Sequence, residues 1–426
     1  MTCEIAIMNM HAVALAADSA TTVTQLIEGK WEKRYFKGAN KIFQLSDYHP
    51  VGLMIFGTAN LQKVPWEILV KDFRKQLDNK SFNNVSDYAT AFFDFITGHD
   101  QLFPIHYQEK IFIEECLKAG YLIYAHLIND SEIVTKAADD VERKRLIGDI
   151  LDEQIDTIEN EPLPNHFKNT DLPHALGSHQ HDLVSQLKDL LNDENYGSLI
   201  DLEKLAKLAV TSVYKNYYLY LNDTGVVVAG YGDTEYYPAY VHYECYGVIL
   251  GKFVYDKKEE QKISVDNTSH IKPFATTSMV NTFQLGISPD LFDYIRDELK
   301  GSLLELCESI KKELGVNDIP NIDKHISDTI QAHTDKWLNH ALEAHAWPLQ
   351  RVVGSLPVDE MAELAETLIM LQSLKEKVTK PTESVGGPID VAIISKGDGF
   401  IWTKRKHYFD PKLNYRFLSR HHLTHA

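Results

Sequence analysis

The chain has 426 residues, 44% of them hydrophobic and 24% charged, proportions that support a packed core and argue against a disordered chain. Its 43 Lys+Arg against 61 Asp+Glu give a formal charge of −18, which opposes binding to nucleic acid phosphates or anionic membranes. The basic run Lys404, Arg405, Lys406 reads as a solvated strand face.

Cys3, Cys116, Cys245 and Cys307 are scattered without a CxxC pair, so neither a disulfide framework nor a cysteine zinc site is expected. A reducing cytoplasm is the compartment this usage suggests. The opening MTCEIAIMNMHAVALAADS lacks the basic flank and apolar run of a signal peptide. No stretch approaches the roughly 18 apolar residues of a membrane helix. Without a GxGxxG or P-loop motif, no nucleotide cofactor is expected, and no other cofactor is indicated.

In chain order, the alternation of Cys3, Ile5 and Ile7 with Glu4, Ala6 and Met8, a bend at 9–11 and the apolar run Ala12 to Ala17 predict a buried hairpin starting at residue 2. Strands are expected at 41–45 and 51–56. Leu61, Val64, Ile68, Leu69, Phe73 and Leu77 then recur at helical spacing, with Pro65 tolerable in a first turn. From 88 to about 220 the pattern is helical and charged, broken by a loop over 162–181. Strands return at 225–229 and 239–250, helices fill 290–378, and 389–395 and 400–404 close the chain as a hairpin around Lys396-Gly397-Asp398-Gly399. This order fits one α+β domain with helical insertions, the alternative being two α+β domains divided near Asp223.

A free N-terminal threonine joins a nucleophile and a base in one residue, because an α-amine of pKa ~7.7–8.0 can take the proton of its own hydroxyl. Thr2 holds that place once Met1 is removed, as small second residues allow. Asp18 lies within Val13-Ala14-Leu15-Ala16-Ala17-Asp18-Ser19, Lys41 within Lys37-Gly38-Ala39-Asn40-Lys41-Ile42-Phe43, and Gly57 opens Gly57-Thr58-Ala59-Asn60 before a helix. In order and approximate spacing this set resembles proteasome β subunits and the bacterial HslV peptidase. Val226 to Tyr231 and Gly386 to Val391 resemble that family's central and final strands. Together the three pieces cover about half the chain.

The resemblance implies a four-layer αββα sandwich, the fold of N-terminal-nucleophile hydrolases. Its core would comprise residues 2–97, 223–287 and 356–410, with helical insertions at 98–222 and 288–355 and a tail at 411–426. It implies that Thr2 attacks a peptide bond, that Lys41 favours its alkoxide-like state, that Asp18 fixes Lys41, and that Gly57 offers its backbone N–H to the oxyanion. Ser19, Glu383 and Ser384 are possible supports, because the register set by Gly386 and Gly387 puts Thr382 and Val385 where the family has Asp and Ser. Ser278 is one guess for the family's mid-chain serine. A peptide or protein substrate and a ring-like homo-oligomer are implied as partners. A small-molecule amidase or acylase of the same class, and a catalytically inactive scaffold subunit, are the rival readings. His174, His179, His181 and Asp182 form a weaker metal candidate in the expected loop. His333, His340 and His345 lack an HExxH arrangement, and His421, His422 and His425 read as an exposed tail.

Overall fold

The computed structural model describes residues 2–27, 30–129, 137–192, 194, 196–316, 319–379, 385–410, 413–416 and 419. The chain opens with β1 (Cys3–Asn9), β2 (Ala12–Ala17), β3 (Ala20–Ile27), β4 (Lys30–Lys37), β5 (Ile42–Gln44) and β6 (Val51–Gly57). A small hairpin, β7 (Asn60–Leu61) and β8 (Val64–Pro65), leads into α1 (Trp66–Leu77) and α2 (Val85–Thr97). A helical stretch follows: α3 (Ile105–Asn129), α4 (Asp140–Asn160), α5 (Asp171–Leu191), α6 (Leu202–Lys215) and the single turn α7 (Tyr217–Tyr220). Then come β9 (Thr224–Gly230), β10 (Ala239–Ile249), β11 (Lys252–Lys262) and β12 (Ser269–Ala275). The last helices are α8 (Ser278–Leu285), α9 (Pro289–Leu314), α10 (Ile322–Ala341), α11 (Trp347–Val353) and α12 (Val358–Thr379), before β13 (Asp390–Ser395) and β14 (Gly399–Lys404).

The fold is mixed α and β with two antiparallel five-stranded sheets, in the orders β12-β1-β2-β13-β14 and β11-β10-β9-β6-β5. Each sheet joins strands from both sides of Asp223. Strand alternation sorts the side chains. Ala6, Met8, Val13 and Leu15 of the first sheet share a cluster with Met54, Val227, Ala229 and Tyr240 of the second. On the other face of β1 and β2, Ile5, Ile7, Ala14 and Ala16 pack against Met361, Ala365, Leu368 and Ile369 of α12. The alanines of β2 are what let that helix lie close to the sheet. The far face of the second sheet, with Leu53, Ile55, Val226 and Val228, packs on Trp66, Phe73, Phe92 and Phe93 of α1 and α2.

A polar residue inside this core closes the first hairpin. Asn9 is fully buried; its Oδ1 accepts from His11 N at 2.9 Å and Ala12 N at 3.3 Å, and its Nδ2 donates to the carbonyls of Val353 and Leu356. The side chain thus satisfies the bend between β1 and β2 and anchors the end of α11. Helices α3 to α6 form a further cluster that includes Ala119, Leu151, Leu187, Leu205 and Ala209 and is joined by Tyr246 and Ile249 of β10 and Val254 of β11. By contrast, no residue of α9 is buried, and α9 meets α10 through contacts such as the stacked rings of Phe292 and Trp337, 4.8 Å between centroids.

Several expectations are corrected. The stretch 162–181 is not all loop, since α5 begins at Asp171, and His174, His179, His181 and Asp182 ride on that helix. Among the described residues no group of His, Cys, Asp and Glu could hold a metal ion. The terminal histidines lie outside the described residues. Of the basic run, Lys404 and Arg405 are exposed as a solvated face, Lys404 reaching Glu366, whereas Lys406 departs from that reading and pairs with the buried Asp390. Strands β3, β4, β11 and β12 were not legible as strands. The sequence of β11, KFVYDKKEEQK, is too charged for the period to show; it is an edge strand whose lysines pair with Glu244 and Glu260, a pattern that protects a sheet edge.

One glycine is required by a close approach. At the end of β9, Gly230 has φ +140°, and a Cβ there would lie 2.0 Å from the Pro50 carbonyl oxygen. Gly230→Ala therefore forces backbone apart between β6 and β9. The expected loss is at least ~1–3 kcal/mol in thermal or denaturant unfolding; an unchanged melting temperature would contradict this packing.

Candidate active site

Thr2 lies just before β1, 6% exposed, with its carbonyl accepting from Thr276 N at 2.9 Å. Residues two apart on an extended chain share a face, so Thr2, Glu4, Ala6 and Met8 fall on the side of β1 toward the second sheet. Asp18 follows β2 and meets this start from the neighbouring strand. Its Oδ1 accepts from Cys3 N at 3.2 Å and from the Lys41 ammonium; its Oδ2 accepts from Ala20 N at 3.3 Å and Gly386 N at 2.7 Å. Lys41, just ahead of β5, brings Nζ within 3.1 Å of Glu4 Oε1 as well. One ammonium thus sits between two carboxylates, with Glu4 0%, Asp18 1% and Lys41 5% exposed.

Burial decides the electrostatics. It pushes the Glu4 carboxyl up to about 7, against the pull of Lys41 and a smaller one from the Thr2 hydroxyl. Burial acts to lower the Lys41 pKa, but Glu4 and Asp18 outweigh it and the ammonium is held above its ordinary value. Cys3, next in sequence to Thr2, is pushed well up by burial and then by Glu4 and Asp18, so it is not a thiolate nucleophile at neutral pH.

The other sequence candidates separate. Ser19 is a tether: its N–H donates to Gly386 O at 3.2 Å, its hydroxyl to Pro388 O, and its carbonyl accepts from Gly38 and Ala39. Glu383 and Ser384 lie outside the described residues. Gly57 ends β6 at φ +86° and lines a cleft of about 420 Å³ with Thr21, Thr22, Thr58 and, from α3, Glu114 and Lys118. Ser278 opens α8, where its hydroxyl donates to Gln372 Oε1 at 3.3 Å and stands 3.4 Å from Lys375 Nζ. Larger clefts, about 640 Å³ beside α1 and α2 and about 620 Å³ between α3, α4 and α6, hold no comparable buried charge cluster.

Sequence reasoning overlooked Glu4, Gln372 and Glu376. Glu4 had a signal, being a lone charge on the inward face of an otherwise apolar strand, where an unpaired carboxylate is costly. Gln372 and Glu376 are buried on α12, four residues apart, and Glu376 acts electrostatically on Cys3. Nothing in their local pattern sets them apart from the helix's exposed acids.

No protein-family model matches the sequence, and a search of curated proteins returns no match. Among solved structures, a (Gly-1) mutant of Anbu from Hyphomicrobium sp. strain MC1 is similar, with 10% identity, 95% of this chain and 86% of that chain covered, and a TM-score of 0.26. A likeness at that score identifies neither family nor activity. Among the described residues no helix is long and apolar enough to cross a membrane.

The cluster gives a pH signature. The folded chain keeps the Glu4 proton to about pH 7 whereas the unfolded chain loses it near 4.5, so the unfolded state binds fewer protons across that window. Stability should therefore fall as pH rises from about 4.5 to 7, with the full cost, on the order of 3 kcal/mol, present above it. Lys41, raised in the folded state, has the opposite sense: its contribution is present below its ordinary value and lost as pH rises through its higher folded value. Denaturant unfolding between pH 4 and 8 should show the Glu4 slope in the wild type and a flatter one in Glu4→Gln. Equal slopes would contradict the cluster.

Proposed function

We propose that the chain is an N-terminal-nucleophile hydrolase, with Thr2 as nucleophile once Met1 is removed. The single observation carrying this reading is the buried Lys41 ammonium held by Asp18 and Glu4 at the strand that Thr2 begins. Burying three charges is expensive, and replacing such groups with apolar ones often costs nothing or stabilises, so their presence argues for chemistry. In this reading the two sheets and their helices form the αββα sandwich of that class, elaborated by insertions at 98–222 and 288–355.

The Thr2 α-amine takes the hydroxyl proton as Oγ attacks an amide carbonyl. Lys41 stabilises the charge on Oγ, and Gly57 N–H receives the developing oxyanion. Collapse breaks the C–N bond, the amine returns the proton to the leaving nitrogen, and water hydrolyses the ester on Thr2. Peptides are the proposed substrates. A second reading, a small-molecule amidase, is favoured by one feature: side chains of α3 wall the cleft beside Gly57, where an extended peptide would need room.

Protein beginning at Thr2 should hydrolyse members of a fluorogenic peptide or acyl-amide panel. Thr2→Ala should abolish turnover, and Lys41→Ala should lower kcat by a factor on the order of 100–1000. Activity retained by Thr2→Ala, or by protein that quantitatively keeps Met1, would overturn the mechanism. A silent wild type with Thr2 free would favour a scaffold role.

We also infer a homo-oligomer. α9 runs 26 residues without one buried, while Leu291, Tyr294, Ile295, Leu304, Leu306 and Ile310 stand exposed. Sedimentation at micromolar concentration should give a species larger than 426 residues; a monomer would remove the analogy with enclosed rings.

A further inference from the structure

Glu4 is not among the residues that the resemblance assigns to catalysis, yet it is the most completely buried acid near Thr2. Neither of its oxygens makes a well-aligned hydrogen bond among the described residues, and its contact is the ionic one to Lys41 Nζ at 3.1 Å. Its flanking register partners, Ala17 on β2 and Phe274 on β12, carry no charge. Titratable groups around it are Asp18 and Lys41, with the Thr2 hydroxyl on its own strand. His242 of the second sheet packs against the rings of Phe274 and Phe56. Cys3 and, beyond it, Glu376 belong to the opposite face of β1.

We propose that Glu4 is a positioning residue of the Thr2 site, which when ionised clamps the Lys41 ammonium jointly with Asp18 and when protonated leaves Asp18 to hold it alone. The proposal rests on the hydrolase reading for its effect on turnover, but not for the Glu4–Lys41 coupling. An ammonium held from two sides keeps one direction, whereas one held by Asp18 can swing on its flexible stem. The ionised cluster, with one cation and two anions, also favours the cationic form of the Thr2 amine that appears as the hydroxyl proton is transferred. Protonation of Glu4 removes both effects. With the carboxyl raised to about 7, that change falls in the neutral range instead of near 4.5. The site would then need two deprotonations to become fully active, at Glu4 and at the α-amine, and would keep a reduced rate with only the second.

Two measurements test this. In the first, the carboxyl carbon of Glu4 is followed by NMR in protein labelled with carbon-13 on glutamate side chains, assigned by its loss in Glu4→Gln. A midpoint near 7 in the wild type that moves upward in Lys41→Met supports the clamp. A midpoint near 4.5, or one that ignores Lys41, overturns it whether or not any substrate is known. In the second, kcat/KM is followed against pH with protein beginning at Thr2. The acid limb on a logarithmic plot should contain a segment steeper than one near neutral pH in the wild type and keep a slope of one throughout in Glu4→Gln, with kcat at pH 8 lowered about tenfold and KM within twofold. Glu4→Asp should keep the steeper segment with intermediate kcat. Identical slopes in wild type and Glu4→Gln would overturn the positioning role while leaving Thr2 as nucleophile. If Thr2→Ala hydrolyses as fast as wild type, the hydrolase reading fails and the NMR titration still decides the clamp.

Discussion

A lysine ammonium taken out of water among two carboxylates is the interaction around which this molecule is arranged. Each ion would cost several kcal/mol to bury alone, and the three are tolerable only because they face one another at contact distance. Asp18 does more than neutralise charge. Its two oxygens collect backbone N–H groups from Cys3, Ala20 and Gly386, so one side chain binds the start of β1, the exit from β2 and the approach to β13. Ser19 repeats the connection to residues 386 and 388 and adds the turn at 38–39 that delivers Lys41. The cluster and the local fold are therefore one construction.

The surrounding packing serves the same end. β1 and β2 are buried on both faces, so the ion cluster sits inside the core, and the cleft at residues 21–22 and 57–60 is lined by Gly57 but by none of Thr2, Glu4, Asp18 and Lys41. The left-handed glycine at 57 lets β6 stop there beside Asp223 without a side chain in the way. Helix α3 packs in a cluster shared with α4, α5, α6 and residues of β10 and β11, and it contributes Glu114 and Lys118 to the cleft beside Gly57.

How much of this was legible depended on how local the signal was. The hairpin of β1 and β2, strand β6, helix α1 and the final hairpin announce themselves because a buried strand or amphipathic helix writes its period in consecutive residues. Asp18 and Lys41 were legible through order and spacing, and they do meet in space. Glu4 could have been flagged from its place on an inward face. Gln372 and Glu376 could not, because α12 has little amphipathic character, with acids on several sides, and only the tertiary contact with β1 and α8 makes those two buried. The edge strand β11 was hidden by its charges, which protect an edge and which a period-two reading discounts, and the edge strand β12, SHIKPFA, by Pro273. Histidines 174, 179 and 181 misled for the reverse reason: a Pro-rich start at Pro162 and Pro164 suggested a loop that in fact becomes α5 seven residues after Pro164.

The central claim is that the buried ion cluster makes Thr2 a nucleophile. The most direct measurement is covalent capture: protein beginning at Thr2 is treated with a β-lactone, which acylates an activated hydroxyl, and the modified residue is located by mass spectrometry. The account predicts one acyl group on the Thr2 hydroxyl, formed much more slowly in Lys41→Ala. An adduct confined to other residues, or equal labelling of Thr2 in wild type and Lys41→Ala, would contradict it.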